Sequence, residues 1–241
     1  MEVEEYARIA AAEDDHWWYR NTRAVLADLL DPWLARDQRI LDAGCGPGGN
    51  GAWLAEHGDV VGVDLSPDAL AFVRDRRPGT RPVRASLEDL PIASGSIDVA
   101  VAVTVLYCVP DDRRAVHELV RVLRPGGVLV CFEPAFEALR RAHDKTVHSR
   151  RRYRRAGLAE LLREAGATVR RSTYAYSFLA PPAAVLGVAE RARPHAVPAA
   201  GSDVERRSLD PVFARAARIE RRWLTRHGLP VGTSVAVVAT R

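Results

Sequence analysis

Between residues 40 and 51 the chain reads Ile-Leu-Asp-Ala-Gly-Cys-Gly-Pro-Gly-Gly-Asn-Gly, an apolar run that passes through one acid into a turn with glycine at Gly44, Gly46, Gly48 and Gly49. Glycine permits positive φ and carries no Cβ, so the backbone there can fold sharply and let a ligand approach closely. If residues 53–55 continue into a helix, the N–H groups of its first turn face an anionic ligand group. Gly44, Gly46 and Gly49 also spell G-x-G-x-x-G, a dinucleotide fingerprint that carries little weight alone. A dinucleotide and a nucleoside-type cofactor are both open at this point.

The order of elements around the turn fixes the fold class. Apolar strand-like runs lie at 39–41, 60–63, 99–105 and 128–132, and helical patterns at 51–56, 67–76 and 111–123 separate them. Such alternation predicts an α/β fold with a doubly wound parallel sheet. Ser66-Pro67 opens the second of these helices and Asp111 or Asp112 the third. Pro125-Gly126-Gly127 stops the third and turns into the fourth strand-like run. A helical stretch over 3–34, broken near Asp14 and Asp15, precedes the first strand. After the fourth run come a helix at 157–165, a strand at 168–177 and a final strand at 233–239. The long connection between those last strands predicts helices of its own, one opened by Pro181-Pro182 and one over 203–223.

At 241 residues the chain reads as one domain: a helical lid over 1–36, a cofactor-binding core over 37–177, a helical cap over 178–230 and a last strand over 231–241. Apolar residues make up 47% and charged residues 27%, which fits a globular protein with no transmembrane segment. The acidic N-terminus lacks the pattern of a secretory signal, so a cytoplasmic location is expected. Cys45, Cys108 and Cys131 have no metal-ligand spacing and are odd in number, which predicts reduced thiols and no metal site. The net charge of +4 says little about partners. Arg150, Arg151, Arg152, Arg154 and Arg155 form the one dense basic cluster, and a solvated helix start is preferred there over nucleic-acid contact.

Two acids bear on the choice of cofactor. Asp64 ends the second strand about twenty residues after the turn, where a carboxylate reaches a ribose diol in sheets of this topology. Both cofactor readings predict it. Asp42, directly before the glycines, separates them: it would repel a pyrophosphate and hold an ammonium. S-adenosylmethionine carries that ammonium, and an NAD(P)-linked oxidoreductase is disfavoured.

Leu41-Asp42-Ala43-Gly44-Cys45-Gly46-Pro47-Gly48 and Val61-Gly62-Val63-Asp64-Leu65-Ser66 resemble the first two motifs of class I S-adenosylmethionine-dependent methyltransferases, most nearly the bacterial type 11-like small-molecule enzymes. Ser86-Leu87-Glu88-Asp89-Leu90-Pro91 with Ser96-Ile97-Asp98-Val99 is similar to the third motif, and Leu123-Arg124-Pro125-Gly126-Gly127 to the turn before the fifth strand. The resemblance covers about residues 38–135. It implies a Rossmann-like, seven-stranded, mostly parallel sheet with an antiparallel last strand, a helical lid at the N-terminus and a helical insertion before the last strand.

It also implies that Asp42, Gly44, Gly46, Gly48, Asp64, Leu65, Ser86, Leu87, Glu88 and Val103 hold S-adenosylmethionine, with Tyr19 and Arg23 from the lid. Many relatives have Asp where this chain has Ser86, so the hydrogen bond to the adenine amino group is weaker here. His16-Trp17-Trp18-Tyr19-Arg20 is similar to a lead-in segment that folds over the cofactor in bacterial members. His16 and Tyr19 are the cofactor-facing candidates, and the tryptophans are assigned to packing. Tyr107 either orients an acceptor or caps the core. His143-Asp144 through Arg152-Tyr153 is similar to an acceptor-side series in related enzymes: His148 and His143 are candidate bases, and Tyr153 and Arg152 would position the acceptor.

The expected function is methyl transfer to an oxygen or nitrogen of a small molecule, in bacterial secondary metabolism or in glycan or lipid modification. The apolar cap either lines an acceptor pocket, makes weak contact with a membrane surface, or packs on the body; packing is preferred. Alternatives are a binding or rearrangement protein that keeps the same pocket, and an RNA methyltransferase resting on the arginine cluster.

Overall fold

The computed structural model describes residues 3–141, 143–192 and 210–241, with the side chains at 143, 190–192 and 225 outside that description. Seven strands form one sheet: β1 (Gln38–Ala43), β2 (Gly58–Asp64), β3 (Thr80–Arg84), β4 (Ile97–Val103), β5 (Leu123–Pro134), β6 (Thr168–Ala175) and β7 (Ser234–Thr240). Their spatial order is β3-β2-β1-β4-β5-β7-β6. The pairs from β3 to β5 are parallel, and β7 runs antiparallel between β5 and β6. The predicted doubly wound sheet and its reversed last strand are both present.

Alternation along the strands builds two cores. In β4, Ala100 and Ala102 face α5 (Asp112–Val122) and α7 (Arg155–Glu164), joining Leu119, Leu158 and Leu162. Val99 and Val101 face the opposite layer, where α2 (Trp17–Leu30) and α9 (Asp210–His227) contribute Leu26, Leu30, Ala217 and Leu224. A period of two with apolar residues on both faces is what a sheet covered by helices on each side requires. Each fully buried Val or Leu contributes roughly 1.5–3 kcal/mol.

The remaining helices are α1 (Val3–Ala12), α3 (Gly51–Leu54), α4 (Pro67–Arg76), α6 (His143–Thr146) and α8 (Ala180–Ala192). Ser66 caps α4 by accepting from the Ala69 N–H at 3.3 Å, and Asp111 caps α5 by accepting from the Arg114 N–H at 2.9 Å. No described helix is long and apolar enough to cross a membrane.

One strand lies outside the expected runs, and two expectations are corrected. β3, Thr-Arg-Pro-Val-Arg, has no apolar run to betray it: it pairs with β2 alone at the sheet edge, where Pro82 and the arginines are tolerated. β4 ends at Val103 rather than 105, because Thr104 takes φ 48° and a buried acid captures the N–H groups that follow. α3 is a single turn of four residues, so little helix dipole stands behind the glycine turn. The expected helical residues 203–209 lie outside the described residues.

The lid, the sheet and the cap meet at Tyr176, which is fully buried with a left-handed φ of 59°. Its hydroxyl donates to the Trp18 carbonyl at 3.3 Å and faces Thr22 Oγ1 at 2.6 Å and Asn21 Nδ2 at 3.4 Å. Glu220 of α9 accepts from the N–H groups of Tyr176 and Ser177. Around this knot Trp17 packs its ring on Tyr176, Phe178 and Phe213. Tyr176→Phe strands Thr22 and Asn21 without their buried partner. It is expected to cost about 1–3 kcal/mol in chemical denaturation; an unchanged midpoint would show that the hydroxyl network contributes nothing.

Candidate functional site

The turn after β1 is held by the strand beside it. The N–H groups of Gly44 and Cys45 both donate to the Val63 carbonyl, at 2.8 and 3.0 Å, and Gly46 N–H donates to Asp64 Oδ2 at 3.0 Å. Gly44, Gly46 and Gly48 have φ of 69°, 52° and 93°, a region that L side chains avoid. A Cβ on Gly44 would lie 2.2 Å from Val105 Cγ2, and one on Gly48 would lie 2.9 Å from Arg77 Cγ. At Gly46 nothing lies within 4 Å. Protein therefore fills the space at Gly44 and Gly48, and the space left for a ligand is at Gly46.

Two carboxylates flank this space. Asp64 Oδ1 accepts from the Ser66 N–H at 2.9 Å, so both of its oxygens are oriented by backbone donors while each keeps a second lone pair. Asp42 is 1% exposed. Its Oδ1 accepts from Asn50 Nδ2 at 3.4 Å, and its buried Oδ2 has no hydrogen-bond partner. Burial pushes the Asp42 carboxyl up to about 7, opposed by the Asn50 hydrogen bond and reinforced by the negative charges of Glu13 and Asp64. An acid in this state is stabilised by a cation placed against Oδ2.

The lid supplies groups that the sequence pattern did not reveal. The Tyr6 phenol of α1 is buried and pushed up to about 12, first by burial and then by the Asp64 charge, with a Ser66 hydrogen bond opposing. α1 thus reaches across to the end of β2. Glu13, 2% exposed, lies against the turn: a Cβ on Gly49 would be 2.5 Å from its Oε2. Tyr19 is half-buried, edge-on to Trp18 at 5.0 Å, its phenol raised by burial and then by Glu13. Arg23 is half-buried, and burial lowers its guanidinium pKa against the opposing pull of Glu13 and Asp14. His16 caps α2, its Nδ1 accepting from the Trp18 N–H at 3.3 Å, with Nε2 3.7 Å from Asp210.

The third segment sits at the neighbouring strand ends. Leu87 is buried and Leu65 is exposed. Ser86 Oγ accepts from the Glu88 N–H at 3.1 Å and donates to Glu88 Oε2 at 3.3 Å. The other Glu88 oxygen accepts from the Asp111 N–H at 2.7 Å, so Glu88 ties this loop to α5. Val103 closes β4 opposite Phe132. Beyond it, buried Glu133 accepts from the N–H groups of Val105, Leu106 and Tyr107 at 3.1, 2.9 and 3.3 Å and fixes the loop that packs on Gly44. Tyr107, 6% exposed, caps the core.

The acceptor-side series is built as a clasp. Asp144 is buried and takes two bonds from Arg152, each 2.9 Å, and Arg152 also donates to the Ala135 carbonyl at 3.2 Å. Tyr153 is buried and donates its hydroxyl to Asp112 at 2.8 Å. Arg152 and Tyr153 are thus committed to protein partners rather than turned to an acceptor. His148 is exposed with φ 53°, and His143 opens α6.

Residues 41–131 match the family model described as a methyltransferase domain. A probable S-adenosylmethionine-dependent methyltransferase of Mycobacterium tuberculosis is 36% identical over 121 residues, covering 50% of this chain and 43% of that protein. A malonyl-[acyl-carrier protein] O-methyltransferase of Enterobacter lignolyticus is 35% identical over 150 residues, 59% of each chain. The chain thus spans about half the length of the curated relatives it matches. Among solved structures, a putative methyltransferase of Haloferax volcanii, in complex with the Trm112 activator, superposes with a TM-score of 0.65 at 20% identity, covering 98% of this chain and 94% of its own.

Asp42 gives a pH signature. Its folded-state pKa is raised, so its contribution to stability is full below the ordinary carboxylate range and is lost as pH rises towards about 7. A bound ammonium reverses this by favouring the ionised form. Calorimetry of S-adenosylhomocysteine near pH 6.5 in buffers of different ionisation heat should show proton release, and the release should vanish in Asp42→Asn. Equal release in both proteins would remove Asp42 from the ammonium site. The unpartnered Asp42 carboxylate and the Asp64-held turn both lie within residues 41–131, the segment that matches a methyltransferase domain, in a chain similar to probable S-adenosylmethionine-dependent methyltransferases.

Proposed function

We propose that this protein transfers the methyl group of S-adenosylmethionine to an oxygen or nitrogen of a small-molecule acceptor. The buried Asp42 oxygen with no partner carries this reading, together with Gly46, the one of the four glycines in the following turn where a Cβ would meet nothing within 4 Å. A pyrophosphate would meet that carboxylate with repulsion, whereas a methionine ammonium neutralises it. Asp64, oriented by the Gly46 and Ser66 N–H groups, would hold the ribose diol. Leu87 would pack on the adenine, Ser86 would accept from its amino group, and Tyr19 and Arg23 would close the site from the lid.

S-adenosylmethionine supplies an electrophilic methyl on a sulfonium. The protein's task is to place an acceptor lone pair in line behind that methyl and exclude water, so proximity and orientation carry most of the rate. As the acceptor–carbon bond forms, the carbon–sulfur bond breaks and S-adenosylhomocysteine departs; the acceptor's proton passes to a base or to solvent. His148 is the candidate base, because it is exposed on the segment after β5 and a neutral imidazole can accept a proton; His143 is the second. Arg152 and Tyr153 would act by holding the segment that presents them. An oxygen acceptor is supported by the relative named as an O-methyltransferase.

The cap exposes Val185, Val188, Ile219 and Trp223, which supports an apolar acceptor or a weak contact with a membrane surface. The engagement of Arg151 with Asp112 and of Arg152 with Asp144 speaks against an RNA-binding role for the arginine cluster.

Asp64→Ala removes the acceptor of two ribose hydroxyls and a brace of the turn. It should weaken S-adenosylhomocysteine binding on the order of a hundredfold in calorimetry; unchanged affinity would sink the cofactor assignment. With a metabolite pool as acceptor source, S-adenosylhomocysteine should form in step with one methylated product. A product that forms without S-adenosylhomocysteine would favour the rearrangement reading.

A further inference from the structure

The glycine turn is braced from outside the sheet. Glu13, at the end of α1, accepts through Oε1 from Arg76 Nη1 at 2.7 Å and from Arg77 Nη2 at 3.2 Å. Asp14 accepts from the same two guanidiniums, at 2.7 Å from Arg76 and 2.5 Å from Arg77. Arg77 then turns its Nε to the Gly48 carbonyl at 3.0 Å. One guanidinium therefore joins the lid, the end of α4 and the turn that faces the cofactor.

Steric fit repeats the connection. The space where Gly48 would carry a Cβ is taken by Arg77 Cγ, and that of Gly49 by the Glu13 carboxylate. Glu13 is nearly inaccessible, and burial raises its pKa while Arg76 and Arg77 pull it down. A buried acid of this kind is tolerated only while its cations are in place. A shift of Arg77 would therefore release the Gly48 carbonyl and leave Glu13, whose charge also acts on Asp42, with Arg76 as its one remaining cation among these contacts.

We infer that Arg77, held by Glu13 and Asp14, is a positioning residue for the cofactor turn, so that cofactor affinity depends on an ionic clasp between lid and α4 as well as on the strand-end acids. This rests on the proposed cofactor site. The clasp adds no contact to the ligand. It fixes the backbone between Gly46 and Gly49, where the ligand's amino-acid end would lie. Lysine at position 77 would keep a charge for Glu13 and Asp14, but it cannot span two carboxylates and a carbonyl as the planar fork does.

The test is calorimetric binding of S-adenosylhomocysteine to the full chain and to Arg77→Lys, Arg77→Met and Gly49→Ala, with thermal unfolding of each unliganded protein. Val237→Ala, a core substitution in β7, serves as a destabilised control. Arg77→Lys should melt close to the parent yet bind about tenfold more weakly. Arg77→Met and Gly49→Ala should lose affinity and some stability, and Val237→Ala should lose stability alone. Parent-like affinity in Arg77→Lys and Arg77→Met would overturn the clasp while leaving the cofactor site intact. Affinity losses that merely follow melting temperature, the control included, would overturn it equally. A parent chain that does not bind S-adenosylhomocysteine would overturn both the clasp and the cofactor reading.

Discussion

The arrangement of this protein turns on an uncompensated charge. Asp42 is buried at the end of β1 with one oxygen lacking a partner, a state that costs free energy until a cation arrives. The sheet supports it by surrounding the turn rather than by neutralising the acid. Asp64 holds Gly46 from β2, Val105 presses on Gly44 from the loop after β4, and Glu133 holds that loop from β5. Four adjacent parallel strand ends thus contribute to one small volume, where doubly wound sheets bind ligands.

The second layer of organisation is the lid. α1 brings Tyr6 to Asp64 and Glu13 to Gly49, while α2 is tied to β6 and α9 through Tyr176 and Glu220. The same N-terminal segment therefore meets both the cofactor turn and the cap where acceptor choice is proposed to lie. A change at either end of the lid passes through packed aromatic rings and paired charges. Lid, turn and cap are best treated as one unit when variants are interpreted.

Much of this was legible in the sequence, for physical reasons that differ by element. α4 opens on Ser66-Pro67 as predicted because a cap and a fixed proline φ are local signals. The core strands announced themselves by β-branched runs, since both of their faces are buried. β3 did not, because an edge strand needs no such run. The glycines were legible as a turn, yet the sequence pattern could not say what fills the space beside each. Val105, Arg77 and Glu13 come from distant parts of the chain, and of the turn's four glycines only Gly46 faces open space. The roles of Arg152 and Tyr153 were hidden in the same way. Their partners, Asp144 and Asp112, come from separate elements, and no spacing rule links a tyrosine to an acid 41 residues away.

In the proposed function the turn at Gly46 receives the amino-acid end of S-adenosylmethionine, with its ammonium on Asp42. A crystal structure of the protein with S-adenosylhomocysteine tests it most directly. The ligand's amino group should lie within hydrogen-bond distance of Asp42 Oδ2 and its ribose diol on Asp64. A ligand with its adenosine at the glycine turn, or with its ammonium away from Asp42, would contradict it.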